Sequence, residues 1–481
     1  MTTPAVPTAH SAEQADDRGS SPAAVRSRPT RFRDWLRDNF FPPSERLTGR
    51  PLLVVTAVSV LFVLCSVPLL LSWRSFPTAG NIIWAEDGAI FIPEALNYSL
   101  RDMVFHPYAG YALVVPRVLA SLVVTFPAAD WAIGIALASI AVRSLLAVFV
   151  WHALSGALPS RLARAAISVC VVTIPLGGME VLNNLANLHW FLLFACFPAL
   201  LWRPSSWFGV TVQCLVAVAA VLSDPLALVC LPLVVLRSLS LREFREHLVS
   251  LLFVVAGALQ LIVVLSTTRP RSAGLTIRET VEAYTVRVGQ TAFAGVEIPQ
   301  WAWESARNAG LLITVLVIGA VIVGGLLCRG PHRGLIVVTL VGSVTLYGAA
   351  IGLSSTAEVM VPLTGPINVN LGGRYAVLAG LLLLTATIAA FWAMLHRARG
   401  SGATVMTSIL IAGAVALTGL YVFAAAQNHG NRVDPGALLP WPEAIAQGTT
   451  QCQQDPALQI AMVPIDPQGW NLPLWCPVIR G

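Results

Sequence analysis

The residues best suited to chemistry lie directly after the first apolar run, in Trp84-Ala85-Glu86-Asp87-Gly88. Adjacent carboxylates beside apolar material are costly and need partners. One of them could act as a general base toward a sugar hydroxyl, or the two could hold a divalent cation. Spacing alone leaves open a plainer reading, a solvated turn ended by Gly88. Downstream, Ile90, Phe91, Ala95, Leu96 and Leu100 fit one face of an amphipathic helix over 89–104. A turn dense in aromatic and hydrogen-bonding groups follows, His106-Pro107-Tyr108-Ala109-Gly110-Tyr111, and then an apolar stretch, 111–126, with Arg117 near its middle.

Two further constellations carry recognition chemistry. Glu180, Asn183, Asn184, Asn187, His189 and Trp190 fall within eleven consecutive residues at the mouth of an apolar run. They offer hydrogen bonds suited to a polyol or a phosphate, although Trp190 could equally be an interfacial belt residue. Gly372-Gly373-Arg374-Tyr375 opens another run. Its glycines admit close backbone approach and its arginine fork suits phosphate, unless Arg374 only snorkels toward the interface.

Other polar groups have simpler readings. The loop 267–308 carries Arg269, Arg271, Arg278, Glu279, Glu282, Tyr284, Arg287 and Gln290, mostly as a solvated face. Asp224, before Pro225, suits a helix cap. Arg143 falls inside an apolar run, where a charge is either functional or paired with a buried group. Six cysteines, Cys65, Cys170, Cys196, Cys214, Cys230 and Cys328, sit in or beside apolar segments and read as packing residues. Cys452 and Cys476 lie in the polar C-terminal segment, where a disulfide is expected if that segment is extracytoplasmic. P-loop, GxSxG, HExxH and CxxC patterns are missing, which removes support for ATPase, serine hydrolase, zincin and thioredoxin-like readings.

The elements that must position these groups follow from composition. Hydrophobic residues make up 56% of the 481 and charged residues 11%, too few charges to cover a soluble surface. Apolar runs at 51–72, 131–153, 163–176, 188–202, 206–221, 225–237, 246–266, 309–328, 333–354, 375–395 and 403–426 imply an all-α polytopic membrane protein with about eleven spans. The net charge of +6 is carried by arginine alone, a sign of a GC-rich genome. No nucleic-acid partner is implied, because these arginines lie in short loops and in the N-terminal segment, where positive charge fixes topology. The first 30 residues are polar, read as a disordered tail without a signal-peptide core, and residues 1–50 as a basic cytoplasmic segment.

Parity then orders the loops. Arg161, Arg164, Arg203, Arg242, Arg245, Arg329, Arg397 and Arg399 share the side of the basic N-terminus only if 111–126 does not cross. That stretch is therefore expected to lie on the outer leaflet as an interfacial helix. Segments 73–130, 177–187, 267–308 and 355–374 and the tail 427–481 then face outward, with 51–426 forming the membrane domain.

In this arrangement the chain resembles the GT-C superfamily of membrane glycosyltransferases, at motif level through residues 84–117 and in topology over most of its length. The resemblance implies an inverting enzyme on the outer face of the cytoplasmic membrane. It would move a sugar from a polyprenyl-phosphate donor to a cell-envelope glycan or glycolipid acceptor. It implies an acidic catalytic residue in the first outer loop, here Asp87 as base with Glu86 as partner or metal ligand. Arg374 would bind the donor phosphate, with Arg117 and His189 assisting. His106, Tyr108, Glu180, Asn183, Asn184, Asn187 and Tyr375 would contact substrate. Such a donor is already activated, so no cofactor is required, although a divalent cation at Glu86 and Asp87 stays open. The competing class is a transporter or lipid or glycolipid flippase, which would place polar groups near the midplane, where Arg143 is the clear candidate.

The parity argument is tested by labelling a single cysteine placed at Ala128. The outward topology expects reaction with an impermeant thiol reagent added outside, and reaction only from the cytoplasmic side would make 111–126 a true span.

Overall fold

The structure, a computed structural model, describes residues 28–73, 80–267, 275–354, 372–430 and 439–480. The polar tail before residue 28, Arg269 and Arg271, and nearly all of 355–374 fall outside these residues.

The N-terminal half runs α1 (Arg28–Phe40), α2 (Arg50–Trp73), a π-helical turn (Asp87–Phe91), α3 (Ile92–Asn97), α4 (Leu100–Val104), α5 (Val114–Val123), α6 (Trp131–Ala153), α7 (Arg161–Thr173), α8 (Gly178–Val181) and α9 (Leu188–Leu201). It continues with α10 (Trp207–Ser223), a 3-10 segment (Pro225–Cys230), α11 (Leu231–Ser240) and α12 (Phe244–Leu265). Then come α13 (Ile277–Ala283), a second π-helical stretch (Tyr284–Gln290), α14 (Thr291–Ala294), α15 (Glu297–Leu327), α16 (His332–Gly352), α17 (Arg374–Gly400) and α18 (Thr404–Gly430). A small unit ends the chain: α19 (Trp441–Gln454), strands β1 (Ile460–Ile465) and β2 (Trp470–Trp475), and α20 (Cys476–Arg480).

Among the described residues, 7 helices are long and apolar enough to cross a membrane: α2, α6, α12, α15, α16, α17 and α18. The other four expected spans are also helical, but shorter. The helices α7, α9 and α10 have 13, 14 and 17 residues, and at about 1.5 Å per residue they rise only some 20–26 Å. The fourth begins as a 3-10 segment of 6 residues because Asp224 and Pro225 set its start.

Two expected stretches are shorter than the sequence implied, and the C-terminal segment adds a small sheet. The amphipathic stretch 89–104 is broken at Tyr98, whose backbone is extended (φ −120°, ψ 149°), and Ser99 caps α4 by accepting the Asp102 N–H. The stretch 111–126 narrows to the 10 residues of α5, about 15 Å and too short to cross. The C-terminal segment is not helical throughout, because β1 and β2 pair antiparallel from Ile460↔Trp475 to Ile465↔Trp470.

The bundle is built around two helices apolar on every side, which must be central. All 14 side chains of α9 are buried, as are those of α17 from Tyr375 to Thr387. Gly325 of α15 faces Ala390 of α17 where a Cβ would overlap it, so only glycine allows this approach. In contrast, α2, α15 and α18 expose Leu53, Val54, Leu61, Leu312, Leu316 and Val415, the surface expected of a lipid-facing rim.

One end of the bundle is laced by arginines. Arg33 of α1 donates to the Leu241 carbonyl at 2.6 Å, and Arg203 binds Glu246 at 2.8 Å. Glu45 bridges Arg161 at 2.5 Å and Arg164 at 2.7 Å, and these arginines, Arg161 first, hold its carboxyl below the usual carboxylate range. Arg164 is 1% exposed and stacks on Trp151 with 4.2 Å to the ring centroid.

Glu45→Ala strips this buried guanidinium of its carboxylate. The expected cost is about 2–3 kcal/mol, below the ~3–5 kcal/mol of a fully buried pair because Glu45 is part-exposed. It is read as a lowered melting temperature of the purified protein. Because the folded pKa is depressed, the contribution is full at neutral pH and fades as pH falls through the folded value. The wild-type advantage over Glu45→Ala should therefore shrink in acid.

Candidate active site

The opposite end of the bundle gathers the segments that carried the sequence motifs: the acidic turn after α2, the Tyr108–Leu113 segment, the ends of α10 and α16 and the starts of α9 and α17. They enclose a cavity of about 260 Å³ lined by Glu86, Tyr108, Tyr111, Asn187, His189, Trp190, Asp224, Ser354, Arg374 and Tyr375 together with smaller apolar groups.

The acidic turn is tight. Asp87 N–H bonds to the Trp84 carbonyl at 3.0 Å and Gly88 N–H to that of Ala85 at 3.2 Å, while Ala85 takes a left-handed φ of 39°. That conformation is uncommon for a residue with a Cβ and persists only where its surroundings enforce it. Here Ala85 N–H donates to the Asp466 carbonyl at 2.5 Å, and Asp466 N–H to that of Ile83 at 3.2 Å. The turn sends the two carboxylates apart. Asp87 is fully buried, and its oxygens accept the N–H groups of Leu185 (2.8 Å) and Ala186 (2.9 Å). Glu86 faces the cavity. A cation held at this pair would therefore rely on Glu86 and on cavity groups other than Asp87. Among the described residues there is no cluster of three or more His, Cys, Asp or Glu suited to a metal.

The Asn-rich segment is mostly scaffold. Asn183, with φ 56°, donates to the Leu70 carbonyl at 2.9 Å and so ties this segment to the end of α2. Asn184 donates to the Glu180 carbonyl and accepts from Asn187 N–H at 3.0 Å. Asn187 donates to the Glu180 carbonyl at 2.6 Å and accepts from Trp190 Nε1 at 3.2 Å. Of the three, only Asn187 lines the cavity. The network delivers His189 and Trp190 at the first turn of α9.

His189 forms a dyad. Its Nδ1 lies 2.6 Å from Asp224 Oδ2, and Asp224 Oδ1 accepts the Leu226 N–H at 2.8 Å. The cap expected of Asp224 is present, and the same carboxylate orients an imidazole. Aromatic walls follow: His189 and Trp190 rings at 4.3 Å, and Trp190 edge-on to Tyr375 at 6.0 Å. Tyr375 OH meets Ser354 Oγ at 2.7 Å.

Arg374 begins α17 and lies over the Tyr375 ring at 5.2 Å. Glu180 accepts the Arg374 backbone N–H, a favourable place for a carboxylate at a helix start. Burial raises the Glu180 carboxyl against the opposing pull of Arg374. Tyr108 OH is 3.5 Å from Glu86 Oε1, and burial followed by the Glu86 charge pushes its phenol well up, so it stays protonated. The Tyr108–Leu113 segment is fixed from outside: Gln260 exchanges two hydrogen bonds with the Ala112 backbone at 3.2 and 3.3 Å.

Arg117 and His106 are not brought to the cavity. Arg117 is fully buried and grips Glu94 with Nε at 2.7 Å and Nη2 at 3.1 Å, while His106 Nδ1 lies 3.0 Å from the same carboxylate. This cluster locks α3, α4 and α5 together beneath the site. Sequence reasoning passed over Glu94, although a carboxylate among apolar helix positions signals a buried cation nearby. It also passed over Ser354 and the orienting role of Asp224. The Cys452–Cys476 disulfide is formed, with S–S 2.02 Å. No protein-family model, curated protein or solved structure matches the chain.

The Glu94–Arg117 pair is tested by stability. Arg117→Met or Glu94→Gln alone leaves a buried partner uncompensated and should cost about 3–5 kcal/mol, whereas a Glu94→Leu/Arg117→Met double variant should recover much of it. Thermal melts of the three proteins in one detergent check this. Additive losses in the double variant would contradict the pairing.

Proposed function

We propose that the chain crosses the cytoplasmic membrane about eleven times with the cavity end outside, and that it is an inverting glycosyltransferase using a polyprenyl-phosphate sugar. The observation that carries this reading is that Glu86 and Arg374, a carboxylate and a guanidinium, face one aromatic-walled cavity at one end of the bundle. The arginine-laced opposite end supports the orientation.

The acceptor hydroxyl oxygen forms a bond to the anomeric carbon as its proton passes to Glu86. The bond from the anomeric carbon to the phosphate oxygen breaks, and its electron pair leaves with the lipid phosphate. Arg374 offers a fixed positive charge to that phosphate, and the oriented ring of His189 adds a polar contact. Trp190 and Tyr375 give the sugar ring flat apolar faces. The base role assigned from sequence to Asp87 passes to Glu86, since Asp87 has both oxygens on backbone donors. Asp87 keeps the turn in place. The acceptor is an envelope glycan or glycolipid.

A transporter would want polar groups along a central route. Arg143 is instead enclosed, with 2% exposure, donating to the Val171 carbonyl at 2.8 Å and stacked 4.3 Å from the Phe191 ring centroid.

Membranes carrying each variant are assayed for transfer from labelled polyprenyl-phosphate sugars. Glu86→Gln should lose about 10²–10⁴-fold, and Arg374→Ala about 10²–10³-fold, with normal protein levels. Asp87→Asn should act mainly through stability, because its amide would oppose a backbone N–H. Full activity in both Glu86→Gln and Arg374→Ala overturns the enzyme as drawn.

A further inference from the structure

The C-terminal unit touches the acidic turn more closely than its distance in sequence suggests. Asp466, after the last residue of β1, pairs as a short parallel bridge with Trp84. Its carbonyl takes the N–H of Ala85, the residue with left-handed φ, at 2.5 Å. The side chain of Ile465 packs on Gly88, where an added Cβ would come within 2.6 Å of Ile465 Cδ1. At the start of α19, Trp441 N–H donates to the Asn81 carbonyl at 2.5 Å, its Nε1 donates to Ala128 at 2.8 Å, and its ring stacks on Trp131 at 6.3 Å. The acidic turn is thus held on both flanks by one small unit.

That unit has little core of its own. Its buried apolar side chains are few: Trp441, Ala444, Cys452, Ala461, Val463, Ile465, Leu472, Leu474 and Cys476. Units of this size rely on cross-links. The link here joins Cys452, near the end of α19, to Cys476, at the start of α20, across 24 residues. Gln451 adds two bonds to the Met462 backbone at 3.2 and 3.3 Å.

We propose that the C-terminal unit is a positioning strap for the acidic turn. The Cys452–Cys476 disulfide keeps the hairpin in shape, and through Asp466 and Ile465 the hairpin holds Ala85 left-handed and Glu86 toward the cavity. Reducing the disulfide releases the turn. The catalytic consequence rests on the assignment of Glu86 as base, whereas the mechanical consequence does not.

The test uses the full chain in lipid nanodiscs and two readouts, amide hydrogen exchange over 83–89 and steady-state transfer. Wild type, wild type with reductant, Cys452→Ala/Cys476→Ala and Ile465→Ala are compared. The strap expects faster exchange at Ala85, Asp87 and Gly88 in the last three samples, with α9 and α17 unchanged. It expects kcat to fall about ten- to a hundredfold, the cost of a small misplacement, while the donor KM holds. A general loss of fold would move both constants and all helices. If loss of the disulfide loosens the whole bundle, Ile465→Ala, which leaves the disulfide intact, carries the decision by the same readouts. Unchanged exchange over 83–89 overturns the strap. Faster exchange with full kcat overturns its positioning role. Faster exchange in a protein whose wild type transfers no sugar leaves the strap standing and overturns the proposed reaction instead.

Discussion

The carboxylate of Asp87 accepts two backbone N–H groups, from Leu185 and Ala186, and so joins segments that lie far apart in sequence. One segment is the acidic turn after α2; the other leads into α9. Both would otherwise be irregular loops with orphan donors and acceptors at the end of a helical bundle, and a buried N–H without a partner is costly. One carboxyl group satisfies two of them at once, one on each oxygen. Fixing Leu185 and Ala186 fixes the Asn184–Asn187 network, and that network sets where His189 and Trp190 emerge. The same anchor turns Glu86 the other way, toward the cavity.

Rigidity of the site follows from where the two central helices begin. All of α9 and the Tyr375–Thr387 stretch of α17 are buried, so neither can shift without disturbing packing on all sides. Each presents cavity-lining residues in its first turn, His189 and Trp190 on one and Arg374 and Tyr375 on the other. Polar groups so placed inherit the precision of the core while remaining at its edge. Glu180 completes the arrangement by accepting the Arg374 backbone N–H, tying the approach to α9 to the start of α17.

Much of this was legible in sequence because apolar runs declare helices and their ends. The acidic pair, Arg374 with Tyr375, and His189 were found by lying at such ends, and they do line one cavity or its support. The Cys452–Cys476 pairing was legible because these two cysteines alone sit in polar sequence. Which carboxylate of the pair faces the cavity was not legible. The turn that decides it has Ala85 in the left-handed region, with its N–H on the Asp466 carbonyl from the far end of the chain. Asn183 and Asn184 lie outside the cavity for a related reason: their side chains satisfy nearby backbone in turns, which single-sequence reading cannot separate from ligand recognition, whereas Asn187 does line it. The hairpin 460–475 escaped although Asp466-Pro467-Gln468-Gly469 is a strong turn signal. Proline is tolerated at sheet edges, and the register pairs Pro464 with Asn471 and Pro473 with Met462 in a two-stranded sheet.

Charge assignment around the cavity narrows the catalytic question further. Among the described residues, the carboxylates at or near it include Glu86, Asp87, Glu94, Glu180 and Asp224. Asp87 holds two backbone donors, Glu94 holds Arg117 bidentately, Glu180 takes the backbone N–H of Arg374, and Asp224 divides its oxygens between His189 and Leu226. Asp87, Glu94 and Asp224 would each have to break a bond to the main chain, a cation or an imidazole before receiving a proton from substrate, and Glu180, one oxygen of which has no partner, does not line the cavity. Glu86 has a 3.5 Å contact with the neutral Tyr108 phenol, beyond the usual range for an O–H···O bond. A general base must keep a lone pair available to the substrate while being held in position. Glu86 meets the first condition through that long, neutral contact. It meets the second through the backbone of its own turn, and not through bonds to its carboxylate.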